Sequence, residues 1–320
     1  MREATFLNQN ELKWKKVEKV LEKKSKIDAE ETSRLLIEVT DDLSYARTHY
    51  PKSVVTKYLN SLSIGVFQRF AQTKKLNFRS VMNFWAKEIP LATGRHLRTM
   101  FMVFVFFISC ILLGAISTHF DETYPRVVLG DEYVDMTIEN IESGDPMGVY
   151  KSSSSEAMFI GITTNNIRVA TKTFASGIIL IVGTLYYLFL NGIMLGTFQY
   201  FFVTKGLFWE SFLSIWIHGT LEISSIVIAG TAGVIIGKSI LFPGSYSRIE
   251  SLAINSKDAF KIFIGTLPLF VIAGFLESYI TRLTGAPSIL KLFIILSSLA
   301  FLIWYFVLLP ILLHKKKTVE

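Results

Sequence analysis

The chain has 320 residues, 51% of them hydrophobic, and a formal net charge of +7. This composition is too apolar for an ordinary soluble protein and places the chain among the multi-span integral membrane proteins. The single cysteine excludes an intramolecular disulfide and any multi-cysteine metal site.

Residues 1–94 predict a cytoplasmic helical domain. The charged start contains no apolar core of a signal peptide. Apolar residues recur at helical spacing in three stretches, centred near Val17, Val39 and Leu59. Lysines alternate with glutamates here, as on a solvated helix face, so nucleic acid is not an expected partner.

Residues 77–88 interleave large apolar side chains with charged ones. Such a segment just before a membrane span predicts an amphipathic helix on the cytoplasmic membrane surface. Packing of this helix into the N-terminal bundle is the alternative.

Residues 95–317 predict an all-α, polytopic membrane domain that contacts the lipid bilayer. Five apolar runs have about the length needed to cross the hydrocarbon core. These runs are Thr99–Ser117, Thr173–Leu190, Ile215–Gly237, Ala259–Thr281 and Ser288–Leu313.

The charges predict the orientation of this domain. Residues 1–98 contain nineteen Lys and Arg against eleven Asp and Glu, whereas residues 118–170 form an acidic segment. By the positive-inside rule, both termini are cytoplasmic and the acidic segment 118–170 is an external loop.

The same rule predicts an interruption between residues 173 and 237. The segment 238–261 is basic and therefore cytoplasmic, so an odd number of crossings must separate it from residue 170. Two simple spans would put the segment 238–261 on the external side of the membrane. Either one of the two long segments crosses twice or the chain re-enters near His218. A broken or re-entrant helix around His218-Gly219 is favoured, and Asn191-Gly192 is a second candidate for a break.

Ionisable residues inside these apolar runs are candidate functional residues, because burying them in a bilayer is costly. His218 and Glu222 lie one helical turn apart and can face the same way. They could line a pocket or relay for an ion, a proton or a lipid head group. A hydrogen-bonded knot that fixes the helix break is the favoured interpretation. The predicted intramembrane polar cluster comprises His218, Glu222, Asn191, Glu277 and Arg282.

Two sets of glycines predict close helix packing, within the chain or between copies of a homo-oligomer. They are Gly192 and Gly196 in one segment and Gly230, Gly233 and Gly237 in another.

Known catalytic motifs are missing from the sequence. His218 and Glu222 lack the second histidine of a His-Glu-x-x-His zinc site, and the sequence shows no third ligand. There is no phosphate-binding glycine loop and no Gly-x-Ser-x-Gly motif. We therefore expect a non-enzymatic protein without a catalytic residue, a metal or a cofactor.

Several motifs, in order along the chain, resemble those of the stage II sporulation protein M-like membrane proteins. The matching segments are Arg2-Glu3, Phe6, Trp14, Leu43, Ala46-Arg47, Tyr50-Pro51, Tyr58–Asn60, Asn165–Ala170, Asn191–Gly196, His218–Glu222, Ile226–Gly233 and Ala273–Thr281. The resemblance implies a multi-pass protein of the bacterial inner membrane. In that family the sporulation member works with cell-wall hydrolases during engulfment, and many relatives occur in bacteria that do not sporulate.

Two functions are compatible with these features. The favoured hypothesis is a scaffold that recruits protein partners on both membrane faces during cell-envelope remodelling. The alternative is a permease-like component of a transporter, energised by a separate ATPase or an ion gradient.

Overall fold

The computed structural model describes residues 3–22, 29–72, 78–148, 154–282 and 286–317, and these residues are all-α. They divide into two compact units, Met1–Val81 and Met82–Glu320. The second unit contains every apolar run predicted to enter the membrane.

The N-terminal unit contains three helices: α1 (Glu3–Glu22), α2 (Ala29–His49) and α3 (Val54–Gln72). Their apolar stripes meet in one core that includes the fully buried Val17, Val39 and Leu59. The indole of Trp14 also lies in this core and donates a hydrogen bond of 2.8 Å to Asp42.

A short helical segment leads into the first membrane helix. It contains α4 (Phe78–Asn83), a π-helical turn (Phe84–Glu88) and α5 (Ile89–Arg95). Asn77, the first residue of the predicted surface helix, lies outside the described residues. No residue of α4 or of the π-helical turn is fully buried, and the location of this segment at a membrane surface stays a prediction.

Three polar contacts attach this segment to the membrane helices. The Arg95 guanidinium donates to Asp258 at 2.6 Å, and Lys261 pairs with Glu88 at 2.8 Å. The Tyr305 hydroxyl donates to the Trp85 carbonyl at 2.7 Å.

Four helices are long and apolar enough to cross a membrane, among the residues that the structure describes. They are Leu97–Phe120, Phe208–Leu241, Arg248–Thr281 and Ser288–Lys315. In finer detail the membrane unit contains α6 (Leu97–Phe120), α7 (Tyr124–Leu129), α8 (Asp131–Glu142), α9 (Ser155–Ala175), α10 (Val182–Thr204), α11 (Phe208–Leu241), α12 (Arg248–Phe275), a π-helical turn (Leu276–Thr281), α13 (Ser288–Ile303), a π-helical turn (Trp304–Leu308) and α14 (Leu309–Lys317).

The predicted break at His218-Gly219 is wrong, because α11 runs without interruption from Phe208 to Leu241. A break inside a bundle leaves backbone groups without partners, and a continuous helix avoids that cost. A side chain at Gly219 would make only ordinary contacts, so this glycine marks no bend. The alternative break at Asn191-Gly192 is also wrong, since both residues lie inside the continuous α10.

The interruption lies instead at residues 176–181. There α9 ends in a short 3₁₀ turn, Ser176–Ile178, and Leu180 and Ile181 adopt positive φ angles of 48° and 71°. The Thr184 hydroxyl donates to the Thr173 carbonyl at 2.8 Å and closes the two helices into a hairpin. The apolar run Thr173–Leu190 is therefore not one span, because the chain reverses within it.

With this reversal, the number of crossings between the acidic segment and the basic segment 238–261 is odd, as the charges require. The end of α10 packs beside α7 and α8, the helices of the acidic segment. Residues 154 and 205 flank this hairpin and lie at the same end of the unit, and α11 alone leads on to the basic segment 238–261. The predicted external loop 118–170 is therefore too long, because Ser155–Ala175 form α9.

Candidate functional site

Three ionisable side chains come together near the middle of the membrane unit. His218 and Glu222 lie one turn apart on α11, and Glu277 lies on the π-helical turn that ends α12. One ligand atom from each, a ring nitrogen or a carboxylate oxygen, lies within 4.8 Å of the other two. A π-helical turn widens the helix locally and is frequent at functional sites.

His218 is held by two residues of this π-helical turn. Its Nδ1 lies 3.1 Å from the Thr281 hydroxyl oxygen, and its Nε2 lies 3.8 Å from a Glu277 carboxylate oxygen. The Thr281 hydroxyl donates its single hydrogen to the Leu276 carbonyl at 3.3 Å. This arrangement favours the tautomer in which the Thr281 oxygen accepts from Nδ1–H, and in that tautomer neutral His218 presents an unprotonated Nε2 to Glu277.

Glu222 receives its hydrogen bond from a third helix. The Asn166 side chain on α9 donates to the Glu222 carboxylate. Asn166 was not among the predicted site residues. Asn166 follows Asn165 in a helix that also carries Arg168 and Lys172, and this polar stretch gives no sign in the sequence that Asn166 reaches α11.

A cavity of about 350 Å³ opens beside the cluster. His218, Glu222 and Asn191 line it together with Leu129 and Tyr133 of the acidic segment. Burial raises the pKa of the Tyr133 hydroxyl to about 12, so that side chain remains neutral at physiological pH. The cavity thus connects the intramembrane cluster to the helices of the acidic segment.

The other two predicted cluster residues have different contacts. Asn191 faces the same cavity, but its side chain donates to the Tyr187 carbonyl of its own helix at 2.8 Å. Arg282 donates to the Ser155 hydroxyl at the start of α9, at 2.7 Å, and not to the carboxylates.

The predicted packing glycines lie at two close helix crossings within the chain. A Cβ on Gly192 would lie 2.6 Å from the Cys110 Cβ, and one on Gly196 would overlap the Ile111 carbonyl of α6. The other set, on α11, packs against the α9–α10 hairpin. There Gly230 meets Leu188, Gly233 meets Thr184 and the end of α9, and Gly237 meets Ile181. These crossings fix the position of α11 and with it His218 and Glu222.

Chemically, the cluster offers one imidazole nitrogen and two carboxylates that are largely removed from water. The exposed fraction of the side chain is 6% for His218 and 13% for Glu277. None of the described ion pairs joins Glu222 or Glu277 to a lysine or arginine. Such a group can hold a cation or pass a proton.

Comparison with known proteins divides the chain in the same way as the structure. Residues 4–72 match a domain of unknown function (DUF8413). No curated protein and no solved structure matches the chain. Residues 103–282 match the family Stage II sporulation protein M. The N-terminal motifs in the sequence resemblance thus fall outside this family match, and those from Asn165 to Thr281 fall inside it. Because the match covers more than half of the 320 residues, the chain is a multi-pass membrane protein that belongs to the stage II sporulation protein M family.

Proposed function

We propose that this protein is the permease-like membrane component of a transport assembly, with His218, Glu222 and Glu277 as its site for a cation or proton. The observation that carries the proposal is the cavity of about 350 Å³ at the cluster. A purely structural knot needs no such space. Ionisable residues that face a cavity inside a membrane bundle are typical of ion and proton pathways.

Charge near the cavity supports this proposal. α7 and α8 carry more acidic than basic residues, and Leu129 and Tyr133 of the same segment line the cavity. Clustered negative charge raises the local concentration of cations. Since the sequence has no nucleotide-binding motif, a separate ATPase or an ion gradient would supply the energy.

A non-enzymatic scaffold in envelope remodelling is the second candidate, and one observation favours it. Glu132, Asp135, Glu139 and Glu142 are exposed along α8 at helical spacing and form one acidic face. Such a face could bind a basic partner outside the membrane. The N-terminal helical unit would serve partners on the cytoplasmic side.

Glu222→Gln tests transport against the structural interpretation. The substitution keeps the size and hydrogen-bonding capacity of the side chain but removes its charge. Glu210→Gln is the matched control, since Glu210 is an exposed carboxylate in the first turn of the same helix. Both variants and the unaltered chain are reconstituted in vesicles that contain a pH-sensitive dye and a dye for divalent cations.

We expect the unaltered chain and Glu210→Gln to pass protons or cations down an imposed gradient. Glu222→Gln should fall to the level of protein-free vesicles while its elution profile and unfolding temperature are unchanged. If flux is at background for all three proteins, or if Glu222→Gln loses stability and keeps its flux, transport through this site is ruled out. The scaffold is then the better proposal.

A further inference from the structure

We infer that His218, Glu222 and Glu277 form a binding site for one divalent transition-metal ion of the zinc or manganese type. This inference deepens the proposed function and rests on it for the role of the metal. Binding itself can be measured without any transport. The sequence predicted no metal because His218 and Glu222 lack a third ligand nearby, and the fold supplies one from Glu277.

The first support is the way in which His218 faces Glu277. Because Thr281 engages Nδ1–H, the Nε2 atom directs a lone pair toward the carboxylate. Two acceptors then face each other at 3.8 Å, beyond hydrogen-bond distance. A cation between them turns this unfavourable pair into two coordinate bonds.

The second support is charge. Glu222 and Glu277 lie close together inside the bundle, and the described ion pairs give neither of them a lysine or arginine. Two like charges so placed repel each other strongly in a medium of low dielectric constant. One divalent cation with two carboxylates and a neutral imidazole makes a site with no net charge, which suits a bilayer.

The ligand types select the class of metal. Imidazole suits zinc and other transition metals, and carboxylate oxygens suit manganese as well, whereas calcium and magnesium prefer sites made of oxygen alone. Ligand atoms on one tetrahedral zinc lie about 3.3–3.6 Å apart. The three groups, now within 4.8 Å of one another, need to close by up to about 1.5 Å, which small side-chain rotations can supply.

Three protein ligands leave a coordination position for water or for exchange with the solution. Zinc sites that act chemically keep such an open position, whereas structural sites are usually closed by four protein ligands. The cavity lies at the cluster and provides a route for the ion to this open position.

The surroundings orient the ligands as in known metal sites, where second partners fix the ring and the carboxylate. Thr281 holds the imidazole and Asn166 holds Glu222. Beside the ligands, the hydroxyls of Ser225 and Ser278 are fully buried and have no hydrogen-bond partner among the described residues. Water bound to a metal at this site could satisfy them.

Equilibrium metal binding to the full-length chain tests the inference. The protein carries an affinity tag without histidines, is placed in lipid nanodiscs and is stripped with a chelator. Zn²⁺, Mn²⁺, Mg²⁺ and Ca²⁺ are then titrated separately, and bound metal is counted by mass spectrometry. Glu277→Gln and His218→Gln remove ligands, while Asn166→Ala removes only the orienting hydrogen bond. His119→Gln and Glu210→Gln are controls at exposed positions.

We expect about one equivalent of Zn²⁺ or Mn²⁺ per chain and none of Mg²⁺ or Ca²⁺. Glu277→Gln and His218→Gln should abolish binding, Asn166→Ala should weaken it by about 10–100-fold, and both controls should bind normally. The unfolding temperature without metal identifies any variant that fails to fold. If a ligand variant fails to fold, the affinity of Asn166→Ala for the metal decides whether the inference holds.

The inference is overturned if no metal binds, or if the unaltered chain and the ligand variants bind metal equally. This holds even if flux depends on Glu222, because Glu222 would then carry protons. Binding that requires His218 and Glu277 and is weakened by Asn166→Ala upholds the inference even if Glu222→Gln leaves flux unchanged. In that case only the proposed transport fails.

Discussion

Gly196 shows how a single hydrogen in place of a side chain positions this membrane bundle. At this residue α10 crosses α6 so closely that a Cβ would overlap the Ile111 carbonyl. Gly114 of α6 makes the reciprocal contact with the Ile193 backbone. Helices in a bilayer gain stability from such close packing, because lipid gives no hydrophobic force to join them.

Gly196→Ala should therefore destabilise the protein, by about 1–3 kcal/mol or more, since the atom that obstructs the methyl group belongs to a backbone. Gly161→Ala is the control, because a Cβ on this exposed helical glycine meets nothing within 4 Å. We expect it to be neutral or slightly stabilising. Unfolding of both variants in the same lipid mixture measures the difference. Equal stability of the two would contradict the proposed crossing.

The cluster residues show what a sequence can indicate at this scale. His218 and Glu222 are detectable because they are ionisable residues one turn apart in an apolar run. Glu277 is also detectable as an ionisable residue in an apolar run. The sequence does not show that it meets His218 and Glu222, since 55 positions separate it from Glu222. Asn166 is an uncharged polar residue in a polar stretch, and only the packing of α9 against α11 brings it to Glu222.

At the scale of elements, the least expected feature is the reversal between α9 and α10. It contains no glycine at the positions with positive φ, which are Leu180 and Ile181. Side chains rarely adopt that conformation, and each such residue costs about 1–3 kcal/mol unless its surroundings impose it. Gly177 of the turn packs against Gly233 of α11, and Ile181 packs against Gly237. Tertiary packing thus determines the turn.

This explains why the sequence indicated the existence of an interruption but not its place. Charge parity is a property of whole segments, so it required one reversal between residues 173 and 237. Glycine is the usual local signal for a break, and it pointed to Gly192 and Gly219. Both glycines lie inside continuous helices, whereas the reversal, which contains Gly177, lies in an apolar run that reads as a membrane span.

Leu180→Gly should be tolerated by the fold, although leucine to glycine usually destabilises. Glycine adopts a positive φ without strain, which offsets the entropy that it adds to the unfolded chain. Leu113→Gly in the interior of α6 is the control, since both side chains are about half exposed. We expect a loss of about 1 kcal/mol or more for Leu113→Gly and a clearly smaller loss for Leu180→Gly. A larger loss at position 180 would contradict the positive φ.

At the scale of the whole molecule, the helical hairpin and the charge distribution together predict which loops share a side of the membrane. The acidic segment and the turn between α10 and α11 lie at the same end of the bundle, where Tyr200 contacts His119. The turn between α11 and α12 lies at the other end, beyond a single long helix. The positive-inside rule assigns this second end to the cytoplasm.

Single cysteines test this arrangement in a background in which the buried Cys110 is replaced by alanine. Glu122→Cys and Lys205→Cys, both at exposed positions, should react with a membrane-impermeant maleimide in intact cells. Ser245→Cys should react only after the membrane is permeabilised. Protection of Lys205→Cys together with labelling of Glu122→Cys would mean that α10 does not return to the side from which α9 started. The reversal at residues 176–181 would then not solve the parity of crossings, and the cavity at Glu222 would lose its connection to the outer side.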